Sequence, residues 1–116
     1  MTQINALLLT LLVEAPVAAA AGAALGKRGA REIGRMMCIA IAGSLVTHPI
    51  AWWTNRLLMT SLSFGLRALV IEVGVALVEG LLFAWLARLK PLQGLAVGAL
   101  TNGASFGVGL VVYFWR

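Results

Sequence analysis

Four long apolar blocks, set apart by short polar breaks, organise the chain. They run over about 4–25, 36–53, 66–88 and 93–115. A helix needs roughly 20 such residues to cross the hydrocarbon of a bilayer, and each block is near that length. The pattern predicts an all-α fold, a polytopic transmembrane four-helix bundle forming one domain over residues 1–116. Residues 54–65 carry Leu57, Leu58, Met59, Leu62 and Phe64 and are too apolar for a free loop. A short interfacial helix is therefore expected between the second and third spans.

The third block, LRALVIEVGVALVEGLLFAWLARL, holds two carboxylates, Glu72 and Glu79. They are seven residues apart, so a helix places both on one face, two turns apart. An ionised side chain at the centre of a bilayer costs about 2.5–3.5 kcal/mol on the gentlest scales, so such residues turn toward protein or water. The two acids define a polar seam that the other spans must answer.

Each of the other blocks supplies a candidate partner. The first holds Glu14, with Pro16 two residues on. The proline removes the donor that the Leu12 carbonyl would otherwise use. That turn is either a packing kink with the acid tucked toward freed backbone, or a carboxylate and a carbonyl offered to a ligand. The second block holds His48 and Pro49 close to a tryptophan pair, Trp52 and Trp53, that suits a headgroup belt. Ser44 and Thr47 there are expected to rebond carbonyls loosened by the proline. In the fourth block Asn102 and Ser105 are three apart and share a face; Asn102 reads first as interhelical hydrogen-bond glue. Small residues at close-packing spacing complete the pattern: Gly22 with Gly26, Gly98, and the GxxxG pair Gly103 and Gly107.

By depth, Glu14, Glu79, Asn102 and Ser105 fall near the midplane, and His48 and Glu72 in the outer third. These six residues form the expected ion- or proton-binding seam. Two bare carboxylates close together in low dielectric repel, so one or both hold a proton or a cation sits between them. His48 and Glu72 either pair directly or bind a metal, a divalent cation, with further donors from a copy of the chain. No other cofactor is expected.

Composition narrows the class. Of the 116 residues 61% are hydrophobic and 11% charged, against about 25% charged in a soluble domain. A water-soluble fold of this size could not bury that much apolar surface. The net charge of +5 would suggest nucleic acid in a soluble protein. Here the basic residues sit at the ends of apolar blocks, where topology and lipid headgroups explain them, and no nucleic-acid partner is expected. Six of them, Lys27, Arg28, Arg31, Arg35, Arg88 and Lys90, fall in two connections on one side; Arg56, Arg67 and Arg116 fall on the other. The positive-inside rule puts the six in the cytoplasm and both termini outside, in a bacterial inner (plasma) membrane. No Lys or Arg precedes Lys27, so the first block is expected to stay as a helix rather than act as a cleaved signal. The single cysteine, Cys38, excludes an intrachain disulfide. No phosphate loop, dinucleotide fingerprint, paired-Cys site or HExxH is present, and enzymatic activity is not expected.

A faint internal echo links the first and second halves. LLVEAPV resembles ALVEGLL, and GSLVTHP resembles GALTNGA. In this topology the two pairs would run parallel about an axis along the membrane normal.

Two functions fit. One is a proton- or divalent-cation-binding channel or carrier acting as a homo-oligomer. The other is a non-catalytic accessory or assembly subunit of a larger membrane complex, with glycine faces that dock partners.

Overall fold

The computed structural model describes residues 2–115 and is all-helical there. Its elements are α1 (Gln3–Ala24), α2 (Ala30–Leu57), α3 (Phe64–Leu86) and α4 (Pro91–Phe114). At 1.5 Å per residue they span about 33–42 Å, against about 30 Å of bilayer hydrocarbon. All four are long and apolar enough to cross a membrane. Both α1 and α3 pack against α2 and α4, so α1 and α3 stand diagonally across the bundle. The chain runs up and down, and both terminal segments share one end with the 58–63 turn. The other end carries the two short connections, at 25–29 and 87–90, with their cluster of Lys and Arg. We call these the termini end and the basic end.

Large apolar side chains face outward: Leu12, Val46, Trp85 and Leu92 are all exposed. Small ones fill the inside, with Ala18, Ala21 and Ala40 buried beside Met36 and Phe83. This inversion suits lipid, where apolar side chains gain nothing by hiding and helices associate by close backbone approach. The tightest approach is between α3 and α4. A Cβ on Gly98 would lie 2.6 Å from the Cα and N of Gly80, and one on Gly94 only 2.5 Å from the Gly80 carbonyl oxygen. Between α1 and α2, a Cβ on Gly22 would meet Met36 Cγ at 2.8 Å. A Cβ on Gly103 or Gly107 would meet nothing within 4 Å, so this pair lies open on α4 rather than in a contact within the chain.

Three features differ from the sequence expectation. The second span starts at Ala30 and runs to Leu57 rather than covering 36–53. Its first turns hold Arg31, Glu32 and Arg35, charged residues that favour a helix and reach past the hydrocarbon; Glu32 also suits the positive helix start. At the other end, Pro49 does not stop α2, which takes up residues 54–57 of the stretch expected to form a separate interfacial helix, while α3 takes its last two, 64 and 65. No such helix exists among the described residues. Backbone bonds from Ser61 and Leu62 to the Leu58 carbonyl close a turn instead. The Ser63 hydroxyl then caps α3 by accepting from Leu66 N at 3.4 Å.

Gly26 is the third case. With φ 87 it terminates α1 in a Schellman motif: Lys27 N donates to Gly22 O at 2.8 Å and Gly26 N to Ala23 O at 3.1 Å. A Cβ there would meet nothing within 4 Å, so Gly26 is kept for its conformation, not for packing. The same motif ends α3, where Leu89 N donates to Ala84 O at 3.0 Å, but a non-glycine, Arg88, takes the left-handed position at φ 56. Pro91 opens α4 at the first helical position, as its missing N–H allows. Arg116, counted in the charge balance above, lies outside the described residues.

Candidate functional site

The site is assembled from one face of each helix. α1 delivers Glu14 and α3 delivers Glu79 from the diagonally opposite corner; they are 1% and 2% exposed. α2 supplies Ser44 and Thr47, three apart and therefore on one face. α4 supplies Asn102 and Ser105 at the same spacing. Glu79 accepts from Asn102 Nδ2 at 2.5 Å and from Thr47 Oγ1 at 3.0 Å. The second amide hydrogen of Asn102 goes to the Gly98 carbonyl at 2.9 Å. Glu14 accepts from Ser105 Oγ at 2.8 Å. Gly43 makes room for the Glu79 side chain, since a Cβ there would sit 3.2 Å from Glu79 Oε1.

Ser44 joins the two acids. Its hydroxyl is bonded to Glu14 Oε2 and lies 3.3 Å from Glu79 Oε1. A hydroxyl carries one hydrogen and donates it to one partner only. The second contact is a hydrogen bond only when that carboxyl brings a hydrogen of its own. The Glu14–Ser44–Glu79 bridge is thus satisfied with one proton shared across the pair and under-supplied without it.

These residues surround a chamber of about 50 Å³, reached by all four helices and also lined by Thr10, His48 and Glu72. It has room for a few water molecules. Among the described residues no Lys or Arg lines it. Toward the termini end it meets a vestibule of about 470 Å³, and the two share Thr10, His48, Ala51, Glu72 and Ser105. All four helices line the vestibule as well, so it lies on the bundle axis. Toward the basic end the axis is filled by Ala18, Met36, Ile39, Ala40, Phe83 and Val97. The polar space is therefore a funnel open at one end and closed by an apolar plug at the other.

The structure brings together all six residues of the expected seam. Glu14, Glu79, Asn102 and Ser105 are bonded to one another or through Ser44. His48 and Glu72 line the waist between chamber and vestibule. His48 Nε2 is buried with no hydrogen-bond partner, and its ring stacks on Trp52 at a centroid distance of 6.2 Å. The three carboxyl groups, Glu14, Glu72 and Glu79, line this one chamber. Among the described residues no three His, Cys, Asp or Glu come together as a metal-binding group.

Ser44 and Thr47 have a larger part than the sequence reading gave them. They bond the acids, not carbonyls loosened by Pro49. The signal was present in the echo between the two halves, which aligns Thr47 with Asn102, Gly43 with Gly98 and Glu14 with Glu79. Arg67 is the other residue missed. It is nearly buried, donating from Nε to Asn55 Oδ1 at 2.6 Å and from Nη1 to Leu62 O at 3.2 Å, with its guanidinium 5.7 Å from the Phe64 ring centre. No protein-family model, curated protein or solved structure matches the chain.

Proposed function

We propose that the protein is a small membrane carrier or channel that takes up protons, or a small cation, at the Glu14–Ser44–Glu79 bridge and works as packed copies. One observation carries the reading: a single hydroxyl links two buried carboxyls in a cavity that no described Lys or Arg lines. A proton is the smallest species that completes that bridge, and buried like-charged pairs are costly without one. The acids are bonded by side-chain hydroxyls and an amide around a small chamber rather than by backbone groups, which supports this reading. The positive-inside rule puts the basic end in the cytoplasm of a bacterial inner membrane, so the funnel opens to the outside. Release to the other side requires the apolar plug at Phe83 and Met36 to part, and a neighbouring copy is the natural support for that movement. The open α4 glycines, Gly103 and Gly107, favour a second reading, an accessory subunit whose partner helix lies against that face.

The test is proton flux into vesicles holding the purified protein and a trapped pH dye, driven by a potassium diffusion potential. Wild type is expected to acidify or alkalinise the lumen with the sign of the potential. Glu14→Gln and Glu79→Gln keep shape and hydrogen-bonding capacity, and each is expected to abolish the flux. Full flux in either variant retires the bridge as the pathway. No flux in wild type, with the protein folded, moves the assignment to the subunit reading.

A further inference from the structure

We propose that the vestibule binds an organic monoammonium ion with an aromatic body, its ammonium group seated between Glu72 and His48. The inference rests on reading the chamber below as a cation acceptor, and it names the class of substrate that enters from the open end.

Size and shape come first. A volume of about 470 Å³ is within the range of small-molecule sites, roughly 300–1,000 Å³. The walls toward the termini end are aromatic, with Trp52, Phe64, Phe106 and Tyr113 from three helices. Aromatic faces attract a cation and pack an apolar ring equally well. The floor has the opposite character. Glu72 and His48 lie there, shared with the chamber, and Glu14 and Glu79 sit just beneath.

Two acceptors at the floor, His48 Nε2 and the Glu72 carboxyl, have no hydrogen-bond partner among the described residues. His48 Nε2 is buried and unbonded. Glu14 and Glu79 accept side-chain hydrogen bonds, whereas none reaches Glu72 from the described residues. A neutral imidazole with its hydrogen on Nδ1 offers Nε2 as an acceptor. An ammonium group with several N–H bonds serves Glu72 and Nε2 together. A neutral hydroxyl brings one hydrogen and no charge. A quaternary ammonium brings charge but leaves Nε2 unpaired. The unpartnered acceptors thus select for an ion with N–H donors.

Arg67 sets the number of charges. Among the described residues it is the one Lys or Arg lining the vestibule, and its guanidinium is turned to Asn55 and the Leu62 carbonyl. It lies five residues before Glu72 on α3, about 7.5 Å along the axis. A second positive centre at the outer end of the ligand would meet that charge, so a dication is disfavoured.

Calorimetry of the full-length protein in a non-ionic detergent tests this with phenethylammonium as the probe. Three analogues are compared on wild type: phenethyl alcohol, phenethyltrimethylammonium and the dication of 1,4-bis(aminomethyl)benzene. Each is expected to bind at least about tenfold more weakly than phenethylammonium, and Glu72→Gln to weaken the parent by at least about tenfold while keeping the helical circular dichroism of wild type. Because the analogue series uses wild type alone, it stands even if a variant misfolds. Equal binding of the alcohol, undiminished binding by Glu72→Gln, or no saturable binding in the millimolar range overturns the proposal. Its failure is separable from that of the transport reading: proton flux in vesicles without amine binding sinks this inference alone, and amine binding without flux upholds the site while retiring transport.

Discussion

Exchanging Gly98 for alanine adds a single methyl group, and the structure says what it meets. The new Cβ would lie 2.6 Å from three backbone atoms of α3: Ala76 O, Gly80 N and Gly80 Cα. Ordinary contact begins at 3.4 Å, so the helices must separate locally by close to 1 Å, about a radial gap that already forfeits much of the dispersion attraction. Backbone, not a flexible side chain, is in the way, and the contact cannot be relieved by a rotamer change. Overpacking of this kind costs about 1–3 kcal/mol. The displacement also reaches the site. Asn102 lies one turn further along α4 and uses Gly98 O as its anchor. Moving α4 out lengthens its 2.5 Å bond to Glu79 toward the limit of a hydrogen bond, a bond to a charged or shared-proton group worth about 1.5–3 kcal/mol. Together these predict a loss of about 1–6 kcal/mol, the upper part applying if the lengthened bond is lost. Gly103→Ala is the matched control. It lies on the same helix and meets nothing within 4 Å, so it is expected to be neutral or to stabilise by about 0.5–1 kcal/mol. Unfolding of the two variants by dodecyl sulfate in mixed micelles, followed by circular dichroism, measures the difference. Equal stability of Gly98→Ala and Gly103→Ala would refute the packing of α3 on α4.

Two further predictions are simpler. Arg88 holds the left-handed position at φ 56 that Gly26 fills in the equivalent motif, so Arg88→Gly is expected to stabilise the bundle by up to about 1 kcal/mol in the same unfolding experiment, and a loss of stability would mean that the side chain anchors the basic end. Thiol labelling on intact cells, in a background where Cys38 is replaced by serine, is expected to reach a cysteine at Thr2 and to miss one at Gly29; the reverse pattern overturns the orientation drawn from the basic residues.

The four helices were legible because each apolar block is long and its breaks are short, and no soluble arrangement competes with that pattern. The depth of the acids was legible for the same reason, since position along a spanning helix fixes depth to within a turn. Helix ends were less so. Ala30–Arg35 carries charge and looked like a connection, yet charge does not oppose a helix, and in the headgroup region nothing else is gained by unwinding it. Gly26 shows the limit of spacing arguments. A glycine four residues after another suits close packing, but helix termination uses the same residue for a different property, its freedom at positive φ. Ser44 and Thr47 escaped because hydroxyls have many partners within reach in a helix, and only the azimuth of α2 decides that theirs are Glu14 and Glu79. Arg67 was read as a charge at a boundary, and its partner Asn55 lies across a turn whose course the sequence left open.

The distribution of tight and polar contacts bears on how such a site would work. The tightest glycine contacts are within the two hairpins, Gly22 on Met36 in α1–α2 and Gly80 with Gly94 and Gly98 in α3–α4, while the looser one of Gly43 on the Glu79 side chain, at 3.2 Å, crosses between them. Between the hairpins the links at the site are polar: Ser105 to Glu14, Thr47 to Glu79, and Ser44 to Glu79. Each hairpin therefore moves most easily as one body, and the boundary that yields is the seam that carries the acids. Protonation acts on that boundary directly. With the Ser44 bridge complete, the hairpins are joined through both carboxyls; with its proton gone, one contact of the bridge becomes a repulsion between lone pairs and the seam is weakened where it passes the plug. In the transport reading this is how uptake at the open end is felt by Phe83 and Met36, without any signal other than the hydrogen bonds that hold the halves together. A disulfide placed across the α1–α4 or α2–α3 boundary would then stop flux while leaving binding in the vestibule intact, whereas one placed within either hairpin would leave both unchanged.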